Sequence, residues 1–126
     1  MVGFKLKGDF SNTERYLKYY TSMDRVYALL DKYGRQGVEA LSKATPVDTG
    51  LTASSWYYKI IKTPRTITLR FYNSNIQNGI PIAIILQYGH GTGNGGWVEG
   101  RDYINPAIQP IFDELAEKAW REVTKL

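Results

Sequence analysis

The chain contains no cysteine and a single histidine, His90. The first absence removes disulfides, thiolate metal sites and cysteine nucleophiles; the second removes clustered imidazole ligands. Long apolar runs are missing as well. The longest, Ile80 to Leu86, falls far short of the ~18 residues that a membrane span requires. Lysine, glycine and aspartate interrupt the first ten residues, so no secretory signal is expected there. Together these absences suggest the cytoplasm, or an assembly built there.

What remains is ordinary globular composition. The 126 residues are 43% hydrophobic and 22% charged, which fits one domain that buries about two-thirds of its unfolded surface. The net charge of +4 is unevenly spread: residues 1–70 hold twelve Lys/Arg against six Asp/Glu, and residues 71–126 hold four against six. Between Trp56 and Arg70 stand Lys59, Lys62, Arg65 and Arg70 without an acid. A solvated strand face explains such a run, and so does a surface that meets nucleic acid or an acidic partner. Ten tyrosines, each with an apolar body and a polar tip, hint at contact surfaces.

Periodicity predicts an α+β fold. A short helix is expected over 11–20, capped by Ser11 or Asn12. A second runs from an Asp24 cap through Val26, Leu29, Leu30, Tyr33, Gly37, Leu41 and Ala44 on one face, with Gly34 and Gly37 implying close packing or a bend. Pro46 ends it. In the turn that follows, Pro46 presets φ, Asp48 can accept backbone N–H bonds and Gly50 can take positive φ. Trp56, Tyr58 and Ile60 then share one face of a strand, and Ile67, Leu69 and Phe71 alternate with polar neighbours in the next, so residues 52–72 form a hairpin. Residues 73–79 look like a polar loop. Residues 80–88 suit a short helix, with Pro81 in its first turn and Ile82, Ile85 and Leu86 on one face. The last helix has Asn105 as cap, Pro106 at its first position and a stripe of Ile108, Ile111, Phe112, Leu115, Ala119, Trp120 and Val123. The architecture expected is an antiparallel sheet built on the hairpin and packed by the 24–44 and 106–124 helices.

Six of the twelve glycines fall between Tyr88 and Gly100. Ordering so little side chain has a maximal entropic cost, so the run is either a loop that orders on contact or a backbone cradle. Gly91-Thr-Gly-Asn-Gly-Gly96 matches G-x-G-x-x-G in form, but the dinucleotide fingerprint must open a helix, and residues 97–105 have no helical period. A phosphate loop is ruled out because no Gly-Lys-Ser/Thr follows. No serine stands beside His90 as a nucleophile. Asp48, Glu99 and Asp102 suit turn capping, ion pairing with Arg101 or helix-end electrostatics as well as they suit acid–base chemistry. No catalytic, metal or cofactor site is expected.

Thr45-Pro-Val-Asp-Thr-Gly-Leu51 leading into Ser-Ser-Trp56, followed by Tyr88-Gly-His-Gly-Thr-Gly and Gly100-Arg-Asp-Tyr-Ile-Asn-Pro-Ala-Ile108, resembles the head–tail joining family of tailed bacteriophages. These are neck or tail-completion proteins, named after gene product ten of a lambdoid phage. The resemblance spans about residues 22–124. It departs from the family pattern in its long glycine stretch, and in having Arg101-Asp-Tyr103 where the family carries an Arg-Pro-Phe-like segment.

The resemblance implies a non-enzymatic virion protein at the head–tail junction of a long-tailed phage or prophage, assembled in the host bacterial cytoplasm. It would be one subunit of a homo-oligomeric ring around the DNA channel, partnered by head-closure (connector) and tail-terminator proteins. On that reading Lys59, Lys62, Arg65 and Arg70 are the candidates to face packaged DNA. Tyr88, Gly89, His90, Gly91, Thr92, Gly93, Asn94, Gly95, Gly96 and Trp97 form the candidate docking loop, helped by 73–79, and Pro46, Asp48 and Gly50 form a structural turn. The alternatives are a small basic nucleic-acid-binding protein that uses the 56–70 hairpin and, further off, a hydrolase that uses His90.

Overall fold

The structure, a computed structural model, describes residues 2–7, 13–46 and 50–124. Among these residues it is an α+β fold with three α-helices and antiparallel strand pairs. Strand β1 (Val2–Lys7) leads to helix α1 (Thr13–Ala44), then to strands β2 (Trp56–Lys62) and β3 (Thr66–Asn73). Two short hairpins follow, β4 (Ile76–Gln77) with β5 (Ile80–Pro81), and β6 (Gly89–Gly91) with β7 (Trp97–Glu99), separated by helix α2 (Ile82–Tyr88). Helix α3 (Ile104–Thr124) closes the order. None of the described helices is long and apolar enough to cross a membrane.

The predicted 52–72 hairpin is present as β2 and β3, but β3 is the centre of the sheet. β1 pairs along its other side, with Phe4 opposite Leu69 and Leu6 opposite Ile67, giving the order β1-β3-β2. The alternation of β3 sends Ile67, Leu69 and Phe71 inward, all essentially without solvent exposure. α1 covers that inner face through Val26, Leu30, Tyr33 and Leu41, and α3 adds Ile104, Ile108, Leu115 and Ala119. The core therefore lies on one side of the sheet, and the other side faces solvent.

Gly34 and Gly37 serve close packing. A Cβ on Gly34 would sit 2.6 Å from the Tyr58 ring, and one on Gly37 would collide with the Phe71 ring, so the bare backbone lets α1 settle directly on aromatic side chains.

Four expectations about the helices are corrected. The separate helices over 11–20 and 24–44 are one helix of 32 residues. Asp24 is exposed within it, because a cap residue stops nothing where no proline or glycine interrupts the preceding turn; Ser11 and Asn12 lie outside the described residues. Trp120 does not join the α3 stripe: it is 65% exposed, since a 100° step per residue turns it away when Ala119 is buried. α3 begins at Ile104 rather than after an Asn105 cap. In α2 the fully buried positions are Ala83 and Gln87, with Pro81 the extended residue before the helix; Ile82 and Ile85 are only half-buried.

Candidate assembly interface

The distinctive end of the molecule is built around α2. At its N-terminal side the chain turns through Asn78 and Gly79, both at positive φ (52° and 74°), the dihedrals of the two-residue turn that suits a right-twisted hairpin. Residues 73–79 are therefore not a free polar loop. Asn73 and Asn75 are buried, and they tie this hairpin to the residues after the Pro46 turn. Asn73 Nδ2 donates to the Thr52 carbonyl (2.8 Å) and Asn75 Nδ2 to Thr52 Oγ1 (2.8 Å), while Gln77 Nε2 donates to Asn75 Oδ1 (3.1 Å). Satisfied in this way, the buried amides hold the backbone instead of destabilising it. Ile76 and Ile80 remain exposed on the hairpin.

α1 ends at Ala44, Gly50 takes φ 80°, and the Ser54 N–H donates to the Gly50 carbonyl (3.1 Å). Thr45 Oγ1 donates to the Leu41 carbonyl (2.6 Å) and accepts from Trp56 Nε1 (2.8 Å), which links the helix end to the start of β2. Asp48 lies outside the described residues. Pro46, Gly50, Thr52, Asn75, Gln77, Ile82 and Leu86 line a partly open cavity of about 200 Å³ beside α2.

At the other end of α2 the glycine run is a second hairpin, not a formless loop. His90 pairs with Val98 and Gly91 with Trp97, and Gly93 and Gly95 round the tip at φ 84° and 88°. At the base the backbones nearly touch. A Cβ on Gly89 would lie 2.5 Å from the Val98 carbonyl oxygen, and one on Gly100 would strike the backbone of residues 87–89. No side chain fits at either position. Trp97 and Val98 on this hairpin, and Tyr88 at the end of α2 beside it, are 60%, 45% and 66% exposed.

The hairpin is anchored by Gln87, a residue that the sequence did not mark. Its Oε1 accepts the N–H groups of Tyr103 (3.0 Å) and Ile104 (2.9 Å), and its Nε2 donates to Asp102 Oδ1 (2.6 Å). The start of α3 is thus capped by a carboxamide from α2. Asn105 instead donates to Asp102 (3.1 Å). The Tyr103 hydroxyl donates to the Ala83 carbonyl (2.7 Å), and burial pushes its pKa up to about 12. Among the described residues His90 Nδ1 has no hydrogen-bond partner, Asp102 is engaged with two carboxamides, and no group of His, Asp and Glu is placed to hold a metal ion.

The four basic candidates separate. Lys59 and Arg70 are direct partners across β2 and β3 and stand on the solvent face of the sheet. Lys62 falls on the helix side, its ammonium 4.5 Å from the centre of the Tyr27 ring of α1. Arg65 lies in the turn between the strands. Lys5, on β1, joins the solvent face without having been predicted. Compared with known protein families, curated proteins and solved structures, the chain matches none.

Proposed function

We propose that this chain is a structural subunit of a tailed-phage virion that joins a packaged head to a long tail, as part of a homo-oligomeric ring between head-closure and tail-terminator proteins. The observation that carries the reading is the pair of short hairpins at the two ends of α2, about 10 Å apart by the rise of a seven-residue helix. Both are held rigidly at their bases, by Asn73 and Asn75 at one and by Gln87 with Gly89 and Gly100 at the other. Both present apolar side chains to water: Ile76 and Ile80 on the first, Trp97 and Val98 on the second, with Tyr88 exposed at the helix end beside it. Exposed apolar side chains on tethered hairpins fit docking contacts, and a ring subunit needs such heterologous contacts on a rigid body. Of the two segments that carry the family resemblance, the glycine hairpin contacts α2, and Pro46 and Gly50 share the lining of a cavity with Ile82 and Leu86 of α2.

The test is genetic. Deleting the gene from its phage leaves full heads and finished tails unjoined, and normal virions from the deletion overturn the reading. Trp97→Ala, supplied in place of the natural gene, folds with stability within about 0.5 kcal/mol, as an exposed substitution should, yet fails to restore joining.

A further inference from the structure

The open face of the sheet takes no part in the hairpin end. Three cations stand on it exposed: Lys59 and Arg70 directly opposite one another, and Lys5 opposite Thr68, one step along from Arg70 on the same face. Like charges placed directly opposite on a sheet destabilise it, and β1, β2 and β3 contain no Asp or Glu to relieve them. The helical side is built differently. There Arg35 pairs with Asp31, Lys43 with Glu39, Lys118 with Glu114 and Arg121 with Glu117. Among the described residues no carboxylate pairs with Lys5, Lys59 or Arg70.

Beside the cations, Tyr57 and Tyr72 stack ring on ring, with centroids 5.3 Å apart and planes 20° from parallel. The Lys59 ammonium lies 5.9 and 5.5 Å from the two ring centres. Each tyrosine therefore has the other ring and an ammonium as its partners, which leaves the hydroxyl tips as polar contacts. Hydroxyls and cations on one face of the sheet suit phosphate oxygens, which accept from Lys, Arg and Tyr. A platform for stacking bases needs open aromatic faces.

We propose that this face binds the phosphate backbone of double-stranded DNA without regard to sequence, through Lys5, Lys59, Arg70 and the hydroxyls of Tyr57 and Tyr72. Duplex is the occupant because its axial charge density, one charge per about 1.7 Å, exceeds that of a single strand and rewards a contact made by charge alone. Lys62 takes no part. The binding holds whether or not the chain joins heads to tails, since it depends on the sheet face and not on the hairpins.

Fluorescence anisotropy with a labelled duplex of about 25 base pairs tests this over a range of salt. Three phosphate contacts predict a slope of log K against log salt of about −3, or steeper if several subunits engage one duplex, and equal affinity for unrelated sequences. Lys59→Gln and Arg70→Gln each flatten the slope by about 1 and weaken binding about tenfold at ~50 mM salt, Lys59→Arg restores it, and Lys62→Gln leaves it unchanged. Thermal unfolding of each variant shows that the fold is kept. The proposal fails if no duplex binding is seen at low salt, or if Lys62→Gln loses as much as Lys59→Gln. It fails equally if single-stranded DNA or a polyglutamate peptide binds more tightly than duplex.

Discussion

Gly34 and Gly37 on α1, and Gly89 and Gly100 at the base of the second hairpin, are all positions where a Cβ would collide, but with different things. On α1 the obstacle is a ring, Tyr58 for one and Phe71 for the other; at the hairpin it is mainly main chain. A ring can shift by a few tenths of an ångström, whereas a carbonyl or N–H held in a ladder cannot without breaking it. The body of the molecule is thus secured by apolar side chains buried against a helix. The hairpin end is secured by backbone crossings and by a few amides, Gln87 above all, so its own apolar side chains are left pointing outward. That contrast explains how one small chain can be rigid at both ends and still display Trp97 and Ile76 to solvent.

The largest expected effect breaks the body. Phe71 has no solvent exposure, faces Gly37, and contacts the rings of Tyr58 and Phe112 at centroid distances of 6.4 and 6.1 Å. Phe71→Ala should cost about 3–5 kcal/mol in urea unfolding, with one cooperative transition, because it leaves a cavity under a helix that cannot collapse onto the sheet. A loss below about 1 kcal/mol would mean that the core energy lies elsewhere.

A smaller effect sharpens the contrast at the hairpin end. Gly100→Ala drives a Cβ into the backbone of residues 87–89, where Gln87 holds the start of α3. It should cost about 1–3 kcal/mol and selectively raise amide exchange of residues 89–99 and of the first turn of α3. Gly91→Ala has only the Gly96 carbonyl oxygen nearby, 3.9 Å away, and should change stability by less than about 0.5 kcal/mol. Equal effects at the two positions would show that the hairpin base is not a fixed crossing.

How much of this was legible depends on the range over which each element is determined. The alternation of Ile67, Leu69 and Phe71, the stop at Pro46 and the positive φ of Gly50 are local, and the sequence predicts them. The Asn78-Gly79 turn is legible too, because Asn-Gly between apolar residues is a strong hairpin signal, stronger than the polar composition of 73–79. β1 is set by a partner 59 to 69 residues away, so its six residues carry little signal of their own. Gln87 was invisible because a cap supplied from another helix leaves no mark beside the helix that it caps. Glycine-rich strands hide in the same way: without side chains at Gly89 and Gly91, the period of two that identifies a strand is absent. The clustering of Lys5 with Lys59 and Arg70, and the departure of Lys62 to the other face, follow from register, which composition does not contain.

The smallest effect tests how Gly34 serves the body. By letting the Tyr58 ring lie against α1, it brings the Tyr58 hydroxyl to Asp31, where it donates at 2.5 Å, and Arg35 pairs with the same carboxylate. The tyrosine hydrogen bond first, and the Arg35 guanidinium second, hold Asp31 below the usual carboxylate range. A carboxylate depressed in the folded state stabilises the protein above its unfolded pKa, about 3.9. That contribution disappears as the pH falls through the lower folded value. Asp31→Asn removes the titrating group but keeps an acceptor for Tyr58. The variant should therefore melt at a lower temperature than the natural protein at pH 7, and the gap should narrow as the pH falls below about 4 and close once the folded carboxyl is protonated. A gap that stays constant with pH would show that the Tyr58 contact acts through packing alone, and the body would then owe nothing to the charge that Gly34 brings within reach.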